Sequence, residues 1–112
     1  MRAVIVWWDL KDSAQTIDSL RGFLRDEAVD RFSQLAGLRL KFWISDRETD
    51  RWGAVLLWES AESAALAAAL PNRAAELIGY PPTERSFFDV EATAEGVFSL
   101  DRLAGRGLAL ES

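Results

Sequence analysis

Leu38-Arg-Leu-Lys-Phe-Trp-Ile-Ser45, then Asp46-Arg-Glu-Thr-Asp50, then Trp52-Gly-Ala-Val-Leu-Leu-Trp58 is the stretch that decides the fold. In the first segment Leu38, Leu40, Phe42 and Ile44 alternate with Arg39, Lys41, Trp43 and Ser45. Side chains of a strand point to opposite faces in turn, so this pattern predicts a strand. The second segment is polar throughout and reads as a hairpin loop. The third is a strand with Trp52, Ala54, Leu56 and Trp58 on one face and Gly53, Val55 and Leu57 on the other. Two strands joined by so short a loop are antiparallel neighbours.

Upstream, Ala3 to Trp8 is short, β-branched and aromatic, and ends in a polar turn from Asp9 to Ser13. It predicts a strand with two apolar faces: Val4, Val6 and Trp8 on one, Ala3, Ile5 and Trp7 on the other. A strand apolar on both sides is covered on both sides. Residues from about Ala14 to Ala36 predict a helix, with Ile17, Leu20, Leu24, Ala28, Phe32 and Leu35 on one stripe. Asp18, Arg25, Asp26 and Asp30 lie opposite, and Gly37 is the stop signal. Gly22 inside this helix marks close packing or a slight bend.

Downstream, Ser60 is the N-cap of a helix over Ala61 to Leu70, with Glu62 in its first turn. Its Ala and Leu content predicts close packing. Pro71 ends it, and a short helical stretch over Asn72 to Ile78 stops at Gly79. Thr83 to Glu91 predicts a fourth strand. The order β-α-β-β-α-β is the ferredoxin-like plan, an α+β fold with an antiparallel sheet. Residues 1–91 form this domain. Residues 92–112 are a C-terminal arm whose Val97, Phe98, Leu100, Leu103, Leu108 and Leu110 predict docking on the domain or on a partner subunit. Helices cover one face of such a sheet. Trp7, Val55, Leu57 and Phe87 are expected on the other, so a homodimer with sheets face to face follows.

Composition narrows the chemistry. The chain has five Trp and six Phe but no His and no Cys. No imidazole base, thiolate or soft metal ligand is available. The net charge of −5 argues against nucleic acid, which needs a basic patch. The start, MRAVIVWWDL, does not read as a signal peptide, and no run approaches a bilayer span. A cytoplasmic protein with no membrane partner is expected. No phosphate-binding glycine loop is present, since Gly105-Arg-Gly107 is isolated. No cofactor and no metal are expected. Asp46, Glu48 and Asp50 have nominal cation-loop spacing, but a charged hairpin tip reads as solvated.

Gly37-Leu-Arg-Leu-Lys-Phe-Trp43, Gly53-Ala-Val-Leu-Leu-Trp-Glu-Ser60, Ala64-Ala65 and Phe88-Asp89-Val90 together resemble the YdhR-type proteins. These are small dimeric α+β barrels provisionally assigned as monooxygenases and related to the antibiotic biosynthesis monooxygenases. The resemblance spans about residues 3 to 91. It implies cofactor-independent oxygenation, isomerisation or cyclisation, and includes haem-degrading relatives that need a His this chain lacks. Quinone-forming members carry a Trp at the end of strand three, matched by Trp58. They carry an Asn four residues earlier and a Tyr six residues later, where this chain has Ala54 and Ala64.

Trp43, Trp52 and Trp58 read either as walls of an aromatic pocket or as core and dimer seam. Arg39, Lys41 and Arg85 read as holders of a substrate anion, meeting near one end of the sheet if Arg85 lies on a neighbouring strand. Their alternative is ion pairing with Asp46, Glu84 or Asp89, or with the partner chain. Asp89, between Phe88 and Val90, is a partly buried general base or an Arg partner. Tyr80 is a hydrogen-bond donor to a ligand or a loop anchor. Asp9 and Asp12 shape the turn and cap the helix. The expected activity is cofactor-free monooxygenation or tailoring of a hydrophobic, aromatic or polyketide-type small molecule, catalysed by Trp58, Arg85, Asp89 and Tyr80. Substrate would be held by Trp43, Trp52, Lys41 and Arg39. The alternatives are a cyclase or isomerase in the same pocket and a non-catalytic dimeric ligand-binding protein.

Overall fold

The hairpin forms: Leu38–Asp46 (β2) pairs antiparallel with Arg51–Trp58 (β3), and Trp43 lies opposite Ala54. The predicted alternation holds from Leu40 onward, but a register shift between Leu38 and Leu40 puts Leu38 opposite Trp58, on the other face from Leu40. The computed structural model describes residues 1–98 and 103–111. Its remaining elements are Arg2–Asp9 (β1), Ile17–Phe23 (α1), Val29–Ser33 (α2), Ala61–Ala68 (α3), Arg73–Ile78 (α4) and Glu84–Asp89 (β4). The sheet order is β2-β3-β1-β4, with every neighbouring pair antiparallel. This is the expected ferredoxin-like α+β sheet.

The first helix starts at Ile17, later than the stripe alone suggests. Thr16 is the N-cap: its hydroxyl accepts from Ser19 N, and Ser19 Oγ accepts from Thr16 N. This reciprocal pair satisfies two of the free N–H groups of the first turn. The cap is Thr16, and neither Asp9 nor Asp12 serves. Asp9 instead shapes the turn by accepting from Lys11 N.

Between α1 and α2 the rod passes through a π-helical turn, Leu24–Ala28. Leu20, Leu24, Ala28 and Phe32 are spaced by four. In an α-helix each such step overshoots a full turn by about 40°. The wider π turn takes back part of that drift. Leu20 and Ala28 are fully buried as a result. Burying a side chain the size of leucine contributes about 1.5–3 kcal/mol. Gly22 is not a close-packing site: a Cβ there would meet nothing nearer than Arg25, at 3.7 Å.

The register assigns the faces. Val4, Val6 and Trp8 of β1 and Trp52, Ala54, Leu56 and Trp58 of β3 face the helices and are buried. Phe87 is opposite Val4, so it belongs to this helix-facing side. The expectation that Phe87 lies on the other face is corrected, and Phe88, opposite Ala3, takes its place there. The outer face carries Ile5, Trp7, Phe42, Val55, Leu57 and Phe88.

The Ala-rich α3 departs from its expected close packing. It has no buried residue, and Leu66 and Leu70 are exposed. Alanine side chains are too short to fill the layer beneath them, which matters for the site. In the arm, Ala109 reaches the core and Leu110 packs against it, while Arg25 Nη1 donates to Ala109 O at 2.9 Å. Val97, Phe98, Leu103 and Leu108, expected to dock, are exposed. Leu100 lies outside the described residues.

Candidate functional site

Small residues facing each other open a cleft between sheet and helices. Ala54 on β3 looks toward Ala64 and Ala67 on α3, and the space between them is walled by Trp43, Trp52 and Trp58. The cavity measures about 150 Å³. An apolar cavity of this size admits one benzene-sized ring. Ala54 and Ala64 are the two positions where the resemblance implies Asn and Tyr. Both border the cleft here, so their truncation contributes space.

The tryptophans differ in their polar ends. Trp8 Nε1 donates to Tyr80 O at 2.9 Å and is satisfied. Among the described residues, the N–H groups of Trp43, Trp52 and Trp58 have no hydrogen-bond partner, and no buried side-chain nitrogen or oxygen is left sealed without one. An indole N–H in that position is a donor open to a ligand.

The charges around the cleft share one sign. Arg31, Lys41, Arg73 and Arg85 line it, and no carboxylate among the described residues does. Arg73 is engaged with Glu27 at 3.1 Å and Glu76 at 3.4 Å. Arg31 Nη2 donates to Pro71 O at 3.3 Å. Arg85 has no ion pair or side-chain hydrogen bond among the described residues.

Lys41 is the unusual member. β2 aims it at the helices, opposite Leu56, and it is half-buried. Its Nζ sits 3.2 Å from the ring centre of Phe32 and 4.7 Å from that of Trp43. Phe32 and Trp43 meet edge to face at 5.8 Å and complete this aromatic seat. Burial, with the nearby Arg31 charge adding to it, pushes the Lys41 ammonium down to a pKa of about 7. Both causes disfavour the charged form.

The remaining candidates lie outside the cleft. Arg39 pairs with Glu59 at 2.9 Å on the surface. The Asp89 side chain is 83% exposed and pairs with Arg2 at 2.9 Å, so the expectation of partial burial is corrected. β4 is an edge strand whose six residues are all exposed, which leaves Asp89 in water. Tyr80 anchors a loop: its O–H donates to Asp9 O, and burial, with the Asp12 and Asp9 charges, raises its pKa.

The meeting of Arg39, Lys41 and Arg85 does not occur. β2 and β4 are opposite edges of the sheet with two strands between them. At about 4.8 Å per strand this is roughly 14 Å. Arg31, which strand periodicity could not reveal, is the cation beside Lys41. Among the described residues no group of carboxylates is arranged to hold a metal ion, and no helix is long and apolar enough to cross a membrane.

No protein-family model matches the sequence, and no curated protein matches it. The structure is similar to SnoaB, a cofactor-independent oxygenase from Streptomyces nogalater solved as an Asn-to-Ala variant. The TM-score is 0.59 at 14% identity, over 82% of this chain and 94% of that one. A Deinococcus radiodurans protein provisionally named an antibiotic biosynthesis monooxygenase gives 0.61 at 14% identity, over 85% and 97%. At this identity the likeness establishes a shared fold. It is the fold that the residues, and the resemblance drawn from them, predict.

Proposed function

We propose that the cleft is the site of a cofactor-independent oxygenase acting on a hydrophobic aromatic anion. The observation that carries this reading is the lining: tryptophan walls, three arginines and Lys41, with no carboxylate among the described residues, in a chain of net charge −5. Such a lining selects a flat apolar group bearing negative charge. The fold shared with a cofactor-independent oxygenase supports the reaction class, while fold alone assigns no reaction.

The chemistry asks little of the protein. A carbon acid R₂CH₂ gives up a proton, and the carbanion's electron pair reduces dioxygen to a bound hydroperoxide. Loss of water leaves R₂C=O, so R₂CH₂ and O₂ become R₂C=O and H₂O. The cleft supplies a dry, oriented site, and Arg85 and Arg31 hold the developing anion. The 150 Å³ volume favours one inserted ring, with the rest of a larger substrate in the open mouth.

We further propose that two copies pack through their outer sheet faces. Phe42 and Phe88, 47% and 50% exposed, form part of a continuous apolar surface there. Large exposed apolar patches mark contact surfaces.

Oxygen uptake with a panel of one- and two-ring hydroxyaromatic carbon acids tests the activity. Uptake is expected with the wild type and is reduced on the order of 100-fold in Arg85→Gln, consistent with loss of one anion-stabilising group. Product formation that persists under argon favours the cyclase or isomerase reading. Absence of both turnover and ligand-induced tryptophan quenching across the panel overturns the enzymatic reading.

A further inference from the structure

We infer that the ε-amine of Lys41 is the proton acceptor of the cleft, taking the proton from the carbon or oxygen acid of the bound substrate. This rests on the oxygenase reading of the same site and names the group that starts the reaction. Arg31, Arg73 and Arg85 stay protonated and cannot accept. Asn72 accepts from Ala75 N at 3.0 Å and is committed to capping α4. The indoles of Trp43, Trp52 and Trp58 are donors only. The carboxylate and the phenol expected to act, Asp89 and Tyr80, do not line the space: Asp89 pairs with Arg2, and the Tyr80 O–H donates to Asp9 O. Among the described residues, Lys41 is the remaining titratable group on the cleft.

Its surroundings suit the role in both protonation states. No carboxylate faces it from β3, α2, α3 or α4. Arg31 contributes a like charge from α2, Arg73 sits across the cleft neutralised by Glu27 and Glu76, and Arg39 on its own strand is paired with Glu59. A cation there has lost water without gaining a carboxylate, which favours the neutral amine. Once the proton arrives, the Phe32 ring face at 3.2 Å and the Trp43 ring at 4.7 Å receive the ammonium. The step is balanced: the substrate X–H bond breaks, its electron pair stays on X, and the proton forms the third N–H of Lys41. The proton returns to water through the open mouth.

The chain has two lysines, Lys11 and Lys41, and Lys11 is exposed, so it serves as the internal reference. Competitive acetylation with trace acetic anhydride, read by mass spectrometry from pH 5 to 11, measures each amine's titration. The expected result is a Lys41 midpoint well below that of Lys11. Turnover should rise with pH through the same midpoint. Lys41→Arg keeps the charge and the stem but cannot accept a proton. It should still quench tryptophan fluorescence on binding while losing turnover on the order of 100-fold or more. A Lys41 midpoint equal to that of Lys11, no acetylation at any pH, or turnover in Lys41→Arg within a few-fold of wild type overturns the inference. If the wild type turns over no member of the panel, the oxygenase reading fails, and the acetylation midpoint still decides the state of Lys41.

Discussion

Replacing Lys41 by Met should change stability in a pH-dependent way, and the sign follows from where the amine sits. In the unfolded chain this lysine holds its proton up to its ordinary 10.5, whereas in the folded protein it releases it at about 7. Between those values the unfolded state binds more protons, so this group makes stability rise with pH. Below about pH 7 both states are protonated and the burial penalty is fully present. At about 1.4 kcal/mol per tenfold the penalty has a ceiling near 5 kcal/mol. Met conserves the stem and packs well against aromatic rings. Lys41→Met should thus be more stable than wild type by up to about 5 kcal/mol at pH 6, with the gap closing toward pH 10. Arg31, Arg73 and Arg85 stay charged throughout, and every other titration is common to both proteins and cancels in the difference. Urea unfolding at pH 6, 7.5, 9 and 10, with unchanged m, reads the effect. A gap that does not vary with pH, or a less stable variant at pH 6, refutes the picture of an unpaired, desolvated amine.

Two further predictions address the frame around the cleft. Gly37 has φ +81, and a Cβ on it would lie 2.3 Å from Ser63 Oγ, so Gly37→Ala meets both strain and a hydroxyl that is hydrogen-bonded to Ser60, the N-cap of α3. The left-handed backbone costs about 1–2 kcal/mol and the clash about 1–3 more. Ser63→Gly in the same chain should recover the clash alone, and strict additivity in the double-mutant cycle counts against this contact. Phe42→Glu places a charge on the outer sheet face, on the edge strand β2 opposite Val55. It should convert a dimer into a monomer in sedimentation equilibrium, and a monomeric wild type would rule out the proposed packing.

The hairpin was legible because its alternation is local and its loop is uniformly polar. The first helix was legible from a stripe that tolerates the π turn. β4 was misread at Phe87 because Phe87-Phe88 offers two apolar neighbours and no alternation. Only the pairing of Phe87 with Val4 assigns its face. The Thr16 cap was missed because Ser19 stands where the familiar pattern has Glu or Gln. Lys41 could be placed on the helix-facing side of β2 by counting. Its seat could not, since Phe32 and Arg31 come from α2, a helix whose docking depends on the whole fold.

A chain without histidine meets a definite problem if it moves protons near neutral pH. An imidazole titrates there without help, whereas an amine must be pushed down more than three orders of magnitude. That push requires two conditions together: removal of water and exclusion of acids. One carboxylate within about 4–6 Å would restore the ammonium. The chain has 18 acidic residues, yet none of those described borders the cleft, while three arginines do. The segregation is specific to this face, since Glu59 and Asp89 pair with arginines on the outside, and Glu27 reaches Arg73 without itself lining the cleft. Alanine at 54, 64 and 67 makes the same exclusion sterically, by leaving space without polar atoms. An acid placed at Ala64 would therefore fill the cavity and pair with Lys41 at once, holding it as a cation. Such a chain would be more stable at pH 6 and would lose its acceptor. The stability that Lys41 costs and the proton it can take are two consequences of one arrangement.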